Sequence, residues 1–236
     1  MTSSSSNFTR IIQRVKGLFC NSHTESQTIT AYKIAAKIGD ASAQYSLGNA
    51  YYFGEGVSKD YTQAVYWYQK AAEQGHSNAQ NNLGNVYSLG NGVSKDYAQA
   101  VYWYRKAAEQ GLPEAQNNLG NAYYLGKRVS QDYTQAVYWY QKAAEQGCPE
   151  AQFGLGNAYI FGKGVPQDYA QAVYWFQKAA EQGFPDAQFN LGVVYYHGNG
   201  VSQDDNQAVY WFRKAAEQGF PIAKKILKKV FGIKVK

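Results

Sequence analysis

Three histidines, His23, His76 and His197, and two cysteines, Cys20 and Cys148, are the residues in this 236-residue chain best suited to hold a metal or attack a substrate. No two of the histidines stand at metal-ligand spacing. The glycine runs GEGV and GNGV are not followed by Gly-Lys-Ser/Thr, so they are not phosphate loops. Acid–base pairs such as Lys70 and Glu73 recur at i, i+3 and read as solvated surface pairs. Cys148 stands where other copies have Leu or Phe and reads as a small apolar filler, and His197 as a variant in a Phe/Leu column. This inventory predicts a protein that is not an enzyme and needs no cofactor or metal.

What recurs with chemical potential is a set of amides and aromatic rings. Asn49, Asn85, Asn121 and Asn157 are 36 residues apart, and Val193 ends the series. On the same predicted helix faces stand Tyr45, Asn81, Asn117, Phe153 and Phe189, and also Tyr52, Ser88, Tyr124, Ile160 and Tyr196. Asn is a poor residue inside a helix, so local propensity does not explain it. One reading is a ladder of amides that hydrogen-bonds an extended peptide, with the rings holding its side chains. The other is that each Asn bonds the next repeat and sets the pitch of the stack. The columns grow more apolar toward the C-terminus through Phe153, Ile160 and Phe189. A second series, Tyr66, Tyr102, Tyr138, Tyr174 and Tyr210, reads as rings packed between copies with their hydroxyls in water, or as a convex binding strip.

The elements that carry these columns follow from the period. Trp67, Trp103, Trp139, Trp175 and Trp211 are each 36 residues apart, which marks a repeat architecture. Each copy reads as two helices. The second is capped by Asp60, Asp96, Asp132, Asp168 or Asp204, with Gln three residues later in every copy. Ala64, Trp67, Tyr68, Ala71 and Ala72 then share one face, and Gly75 stops the helix. The first helix runs from about Ala43 to Phe53, with Leu47 on its buried face. Gly48, Gly84, Gly120, Gly156 and Gly192 interrupt it at a cost of about 1 kcal/mol each, which implies a close helix–helix approach. Arg128 replaces the second connector glycine in one copy, so that loop must bend differently or carry strain.

The expected fold is all-α: a right-handed α/α superhelical solenoid of 36-residue helix-turn-helix repeats. Five repeats are read at 43–78, 79–114, 115–150, 151–186 and 187–222. Residues 27–42 read as a degenerate capping helix, 223–236 as a C-terminal capping helix with a basic tail, and 1–26 as a disordered or targeting leader. Within that leader, residues 8–19 have the pattern of a basic amphipathic helix, suited to a membrane surface or to capping the stack, and Cys20 to lipidation. The formal net charge is +6, yet residues 43–222 hold 12 Lys and Arg against 15 Asp and Glu. The basicity sits in the ends, which argues against nucleic acid as a partner. No apolar run reaches membrane-spanning length, and membrane association is expected at most through residues 8–20. Two cysteines in unrelated contexts suit a reducing, cytoplasmic setting, with export on a non-classical signal as the alternative.

The stretch LGNAYYFGEGVSKDYTQAVYWYQKAAEQG, residues 47–75, resembles the Sel1-like repeat family, relatives of the tetratricopeptide repeats. Shared features are the Leu-Gly of the first helix, the Gly-x-Gly-Val connector, the capping Asp, the Trp, the Ala-Ala pair and the closing Gly. The resemblance covers residues 43–222 and implies an adaptor or scaffold that binds proteins or peptides in a concave groove. In that groove the matching positions would be Tyr45, Asn49, Tyr52, Asn81, Asn85, Asn117, Asn121, Tyr124, Phe153, Asn157, Ile160, Phe189 and Tyr196. It also leaves room for a secreted bacterial factor that acts on host proteins. A cysteine-rich branch has been assigned β-lactamase activity, but its cysteine pair is absent here, so that activity is not carried over.

Overall fold

The computed structural model describes residues 25–234. The leader segment 1–24, with its 8–19 pattern and Cys20, lies outside the described residues. Among the described residues there are twelve helices and no strand. They are α1 (Glu25–Lys37), α2 (Ala41–Phe53), α3 (Tyr61–Glu73), α4 (Ser77–Leu89), α5 (Tyr97–Glu109), α6 (Pro113–Leu125), α7 (Tyr133–Glu145), α8 (Pro149–Phe161), α9 (Tyr169–Glu181), α10 (Pro185–His197), α11 (Asp205–Glu217) and α12 (Pro221–Val230). The chain packs as two compact units that meet in sequence at Leu112 and Pro113. In the first, α2 pairs with α3 and α4 with α5, while α1 packs on α2 and α3 on α4. In the second, the pairs are α6/α7, α8/α9 and α10/α11, and α12 closes against α11.

The helix limits follow the predicted signals. Every second helix starts on its aspartate: Asp60 Oδ1 accepts the Gln63 N–H at 3.0 Å, and Asp132 and Asp168 do the same for Gln135 and Gln171 at 3.0 Å. The backbone N–H of Asp60 also donates to the Tyr51 carbonyl at 2.9 Å, which closes the connector onto the end of α2. First helices begin two residues earlier than the expected Ala43, because Asp40 caps α2 through the Ala43 N–H at 2.7 Å. Proline fills the first turn of α6, α8, α10 and α12, where its missing N–H costs nothing. In the connector written with arginine the bend is unchanged. Arg128 takes φ 59, beside φ 76 at Gly164 and Gly200. The side chain bears the strain of the left-handed region, about 1–2 kcal/mol.

The core is built around one aromatic ring per pair, and it is not the tryptophan. Tyr68, Phe176 and Phe212 are 1% exposed and Tyr140 3%, whereas Trp67, Trp139, Trp175 and Trp211 are only half-buried. Trp67, Trp103, Trp175 and Trp211 each lie against the apolar cluster of the preceding repeat, so they serve the junction between copies. The recurrent glycine gives the close helix–helix approach expected: a Cβ on Gly84 would stand 3.2 Å from the Ala100 carbonyl oxygen of the partner helix, as one on Gly120 would from that of Ala136, and the partner's ring comes closer still. A Cβ on Gly48 would stand 2.5 Å from Cδ1 of Tyr68, and one on Gly156 2.6 Å from Cδ1 of Phe176. The closest approach is between a helix backbone and the partner's ring. Leu47, Leu83, Leu119, Leu155 and Leu191 fill the space beside the ring with at most 1% exposure.

In an isolated helix, Gly→Ala stabilises by about 1 kcal/mol. Here Gly156→Ala is expected to destabilise the second unit by about 1–3 kcal/mol, because the ring of Phe176 has no space to retreat. Urea unfolding followed by circular dichroism measures the sign directly.

Candidate functional site

The predicted columns lie on the first helices, and the structure ties most of their polar atoms to specific partners. In the first unit, Asn49 Oδ1 accepts from the Tyr68 hydroxyl at 2.7 Å and from Asn82 Nδ2 of the next repeat at 3.2 Å. Asn85 Oδ1 accepts from the Tyr104 hydroxyl at 2.8 Å. Tyr45 and Tyr52 flank the Tyr68 ring, with centroids 6.2 and 6.4 Å away. The Tyr52 hydroxyl accepts from Asn91 Nδ2 at 3.1 Å. Asn81 is buried and Ser88 half-buried beside the Tyr104 phenol.

The second unit repeats this and then departs from it. Asn121 is exposed, and its Oδ1 accepts from the Tyr140 hydroxyl at 2.7 Å. The Tyr124 hydroxyl accepts from Lys163 Nζ at 3.0 Å, a bond that holds the ammonium in its charged form. Asn117 is 8% exposed, and its Oδ1 has no hydrogen-bond partner among the described residues. In the next repeat Phe176 replaces the tyrosine, and Asn157 Oδ1 accepts from Asn190 Nδ2 at 3.4 Å. In the last, Phe212 faces Val193, so that both the hydroxyl and the amide are absent. The apolar end of the columns is partly covered by the chain itself. Phe189 stacks on Phe220 at 4.9 Å, Tyr196 meets the edge of Phe231 at 5.8 Å, and Ile233 joins the same cluster. Phe153 packs on Phe176 and Phe184, and Ile160 belongs to that cluster.

Burial decides the electrostatics. It pushes the phenols of Tyr68 and Tyr140 well above the usual tyrosine range and that of Tyr104 up to about 12. These hydroxyls therefore keep their protons and act as donors to the asparagines. Burial likewise raises the Cys148 thiol to about 11, and its Sγ donates to Glu150 Oε2 at 3.3 Å, so it is a poor nucleophile. His76 is the N-cap of α4: Nδ1 accepts the Ala79 N–H at 3.3 Å, and the ring stacks on Tyr45 at 4.7 Å. Burial pushes this imidazole below its ordinary 6.5, with the Asp40 charge opposing. Among the described residues no three His, Cys, Asp or Glu side chains gather as a metal site. The second-helix tyrosines, Tyr66 to Tyr210, are about half exposed, edge-on to the neighbouring Trp, with the Lys four residues on above each ring.

Sequence reasoning passed over a set of buried glutamines. Gln44, Gln80, Gln152 and Gln188 are 4% exposed and Gln116 is 3% exposed. Gln152 Nε2 donates to the Ala144 carbonyl at the end of the preceding α7, at 3.1 Å. Its Oε1 accepts from Gln182 Nε2 at 2.8 Å, and Gln182 also reaches the Gly147 carbonyl at 2.9 Å. Gln44 with Gln74, Gln80 with Gln110 and Gln188 with Gln218 form the same clamp. It satisfies carbonyls that a helix end leaves unpaired and, within each unit, links a repeat to the element before it. The signal was legible: a Gln recurring every 36 residues beside the buried Ala of a first helix.

The Sel1 repeat model matches residues 41–76, 77–112, 113–148, 149–184 and 185–220. The chain belongs to the Sel1 repeat family. Its repeats are similar to those of c5321, a protective antigen of uropathogenic Escherichia coli with an SLR fold, at 43% identity and a TM-score of 0.81 over 88% of this chain. The match takes in 45% of the antigen, so this chain spans less than half its length. A Sel1 repeat protein from Oxalobacter formigenes is 38% identical over 83% of this chain and 80% of its own, with a TM-score of 0.78. The immunity protein Pa5087 from Pseudomonas aeruginosa is 28% identical over 81% of this chain and 71% of its own, with a TM-score of 0.54. No curated protein matches the chain. Among the described residues no helix is long and apolar enough to cross a membrane.

Replacing Gln152 by Leu removes the amide from between two polar partners. A loss of about 1–3 kcal/mol is expected in denaturant titration, against a change near zero for exposed Gln177→Leu. The cap at His76 gives a pH signature. Its folded-state value lies below the unfolded 6.5, so the contribution is fully present above that pH and is lost as pH falls toward the folded value. The melting temperature should therefore drop more between about pH 7.5 and about pH 5 for the parent than for His76→Asn, whose cap does not titrate in that range.

Proposed function

We propose that this Sel1 repeat protein is a non-catalytic adaptor that binds an extended peptide or protein segment along the first-helix columns. The observation that supports this most is Asn121: an amide on an exposed helix face, oriented by a buried tyrosine through a 2.7 Å bond. With the carbonyl oxygen taken by tyrosine, Asn49 and Asn121 each have their Nδ2 group left to donate, and backbone carbonyls of an extended peptide are suitable acceptors. Tyr45, Tyr52 and Tyr124 supply rings beside these amides, and Asn157, Phe153, Ile160, Phe189 and Tyr196 continue the surface with more apolar character. Asn81 and Asn117 are buried, and they shape the columns from below. A free, buried Cys148 suits a reducing compartment, for which we favour the cytoplasm. The likeness to a Pseudomonas immunity protein favours a protein ligand over a small molecule.

The chain contains its own control. The last repeat pairs Val193 with Phe212 and folds without amide or hydroxyl. Copying that pair into the second and third repeats, as Asn85→Val with Tyr104→Phe and Asn121→Val with Tyr140→Phe, removes the donors while keeping the packing. Peptides selected from a phage-displayed library on the intact chain should lose at least about tenfold in affinity for this variant, with helicity unchanged. Retained affinity would sink the groove reading and direct attention to the Tyr66 strip.

A further inference from the structure

α12 packs on α11 through Ala223 and Leu227, which are fully buried. The rest of its surface is ordered in three rows, because residues four apart are neighbours on a helix. Lys224 and Lys228 make one row and Lys225 and Lys229 the next, and all four are exposed. Ile222, Ile226 and Val230 make the third. Ile226 is half-buried, while Ile222 and Val230 are 55% and 50% exposed. From Gln218 to Lys234 the chain carries five lysines and no acid. The lysines also block the packing that this face serves elsewhere. They stand one period after Gln188, Phe189, Gly192 and Val193. In α10 that face holds the clamp amide and the glycine under the ring, where a Cβ would lie 2.5 Å from Cδ1 of Phe212. Lys228 puts a long charged side chain at the glycine's position, which disfavours a further ring-bearing helix here, from this chain or from a second copy.

We propose that the outer face of α12 docks the chain on a membrane surface rich in anionic lipid. The two lysine rows supply the charge: a negative bilayer surface attracts each lysine held within a Debye length of it. The apolar row decides the class of partner. Ile222 and Val230, beside Lys225 and Lys229, are placed to enter the boundary between headgroups and acyl chains, and the lysine stems lie along the same layer with their ammoniums at the phosphates. A soluble polyanion uses the lysines and leaves the isoleucine and valine in water. Ten residues suit a helix that lies in the surface, and α12 is neither long nor apolar enough to cross the bilayer. Sequence patterning directs membrane contact to residues 8–20; among the described residues, α12 is the element with the charge and the apolar row to make it. The face uses none of Asn49, Asn85 and Asn121, so it stands or falls separately from peptide binding.

The full chain is sedimented with vesicles of phosphatidylcholine alone and with vesicles of phosphatidylcholine and phosphatidylserine at about 3:1. It should bind the second kind only, and less as salt is raised. Lys225→Gln, Lys228→Gln and Lys229→Gln together should weaken binding at least about thirtyfold, since each lysine contributes about fivefold, while Arg at the same three positions keeps it. Ile222→Ser with Val230→Ser should weaken it at least about fivefold. Arg10→Gln, Arg14→Gln and Lys16→Gln should leave it in place. All the substituted side chains of α12 are exposed, so an unchanged melting temperature separates lost docking from lost fold. A parent chain that ignores phosphatidylserine overturns the proposal, as does a loss confined to the Arg10, Arg14 and Lys16 variant. A serine variant that binds vesicles as the parent does also overturns it, and assigns the lysines to a soluble polyanion.

Discussion

A buried six-membered ring pressed on a helix backbone is the contact on which each repeat depends. Tyr68 lies on Gly48, Tyr140 on Gly120 and Phe176 on Gly156, so close that no Cβ fits. Removing the side chain from the helix brings the two helices of a pair together and lets Leu47 and the small residues of α3 fill the remaining space. A buried phenol must still place its hydroxyl, because an unpaired polar atom in the core is costly. The asparagine one residue beyond the glycine accepts it. The amide column that looks like a binding ladder thus begins as a consequence of core packing, and its geometry is set from beneath.

Coupling between neighbouring repeats is mostly polar and recurs with the period. The glutamine clamp seals the end of the preceding second helix, and the tryptophan covers its apolar cluster. On the other face, Asn82 reaches Asn49, and Asn91 reaches Tyr52. These are nearest-neighbour bonds, so within each unit stability accumulates by stacking. The same arrangement shows why the last repeat can be more apolar. Its first-helix residues Phe189, Val193 and Tyr196 pack in one cluster with Ala223 and Leu227 of α12, Phe231 and Ile233, and the lysines of α12 face solvent.

A surface made this way has limited freedom to vary. Asn49, Asn85 and Asn121 cannot change without regard to Tyr68, Tyr104 and Tyr140, and at Val193 both partners have changed. Tyr52 and Tyr124 are free to differ more, since Asn91 and Lys163 serve equally as donors to their hydroxyls. In the proposed binding role, ligand preference would be tuned at the outer columns while the amide column holds the frame.

Helix number, helix type and period were legible from residue spacing alone, because capping aspartates, closing glycines and an apolar stripe are local signals that act within one helical turn or one connector. The candidate columns were legible as positions on a helix face for the same reason. Local spacing does not reveal which atoms are spent. That Asn49 faces a hydroxyl nineteen residues away, that Gln152 holds the carbonyl of Ala144, and that the residue after each Trp is the true core ring are outcomes of packing between helices. They depend on distances across the stack, where a shift of one side chain decides whether an amide meets a tyrosine, a neighbouring amide or water.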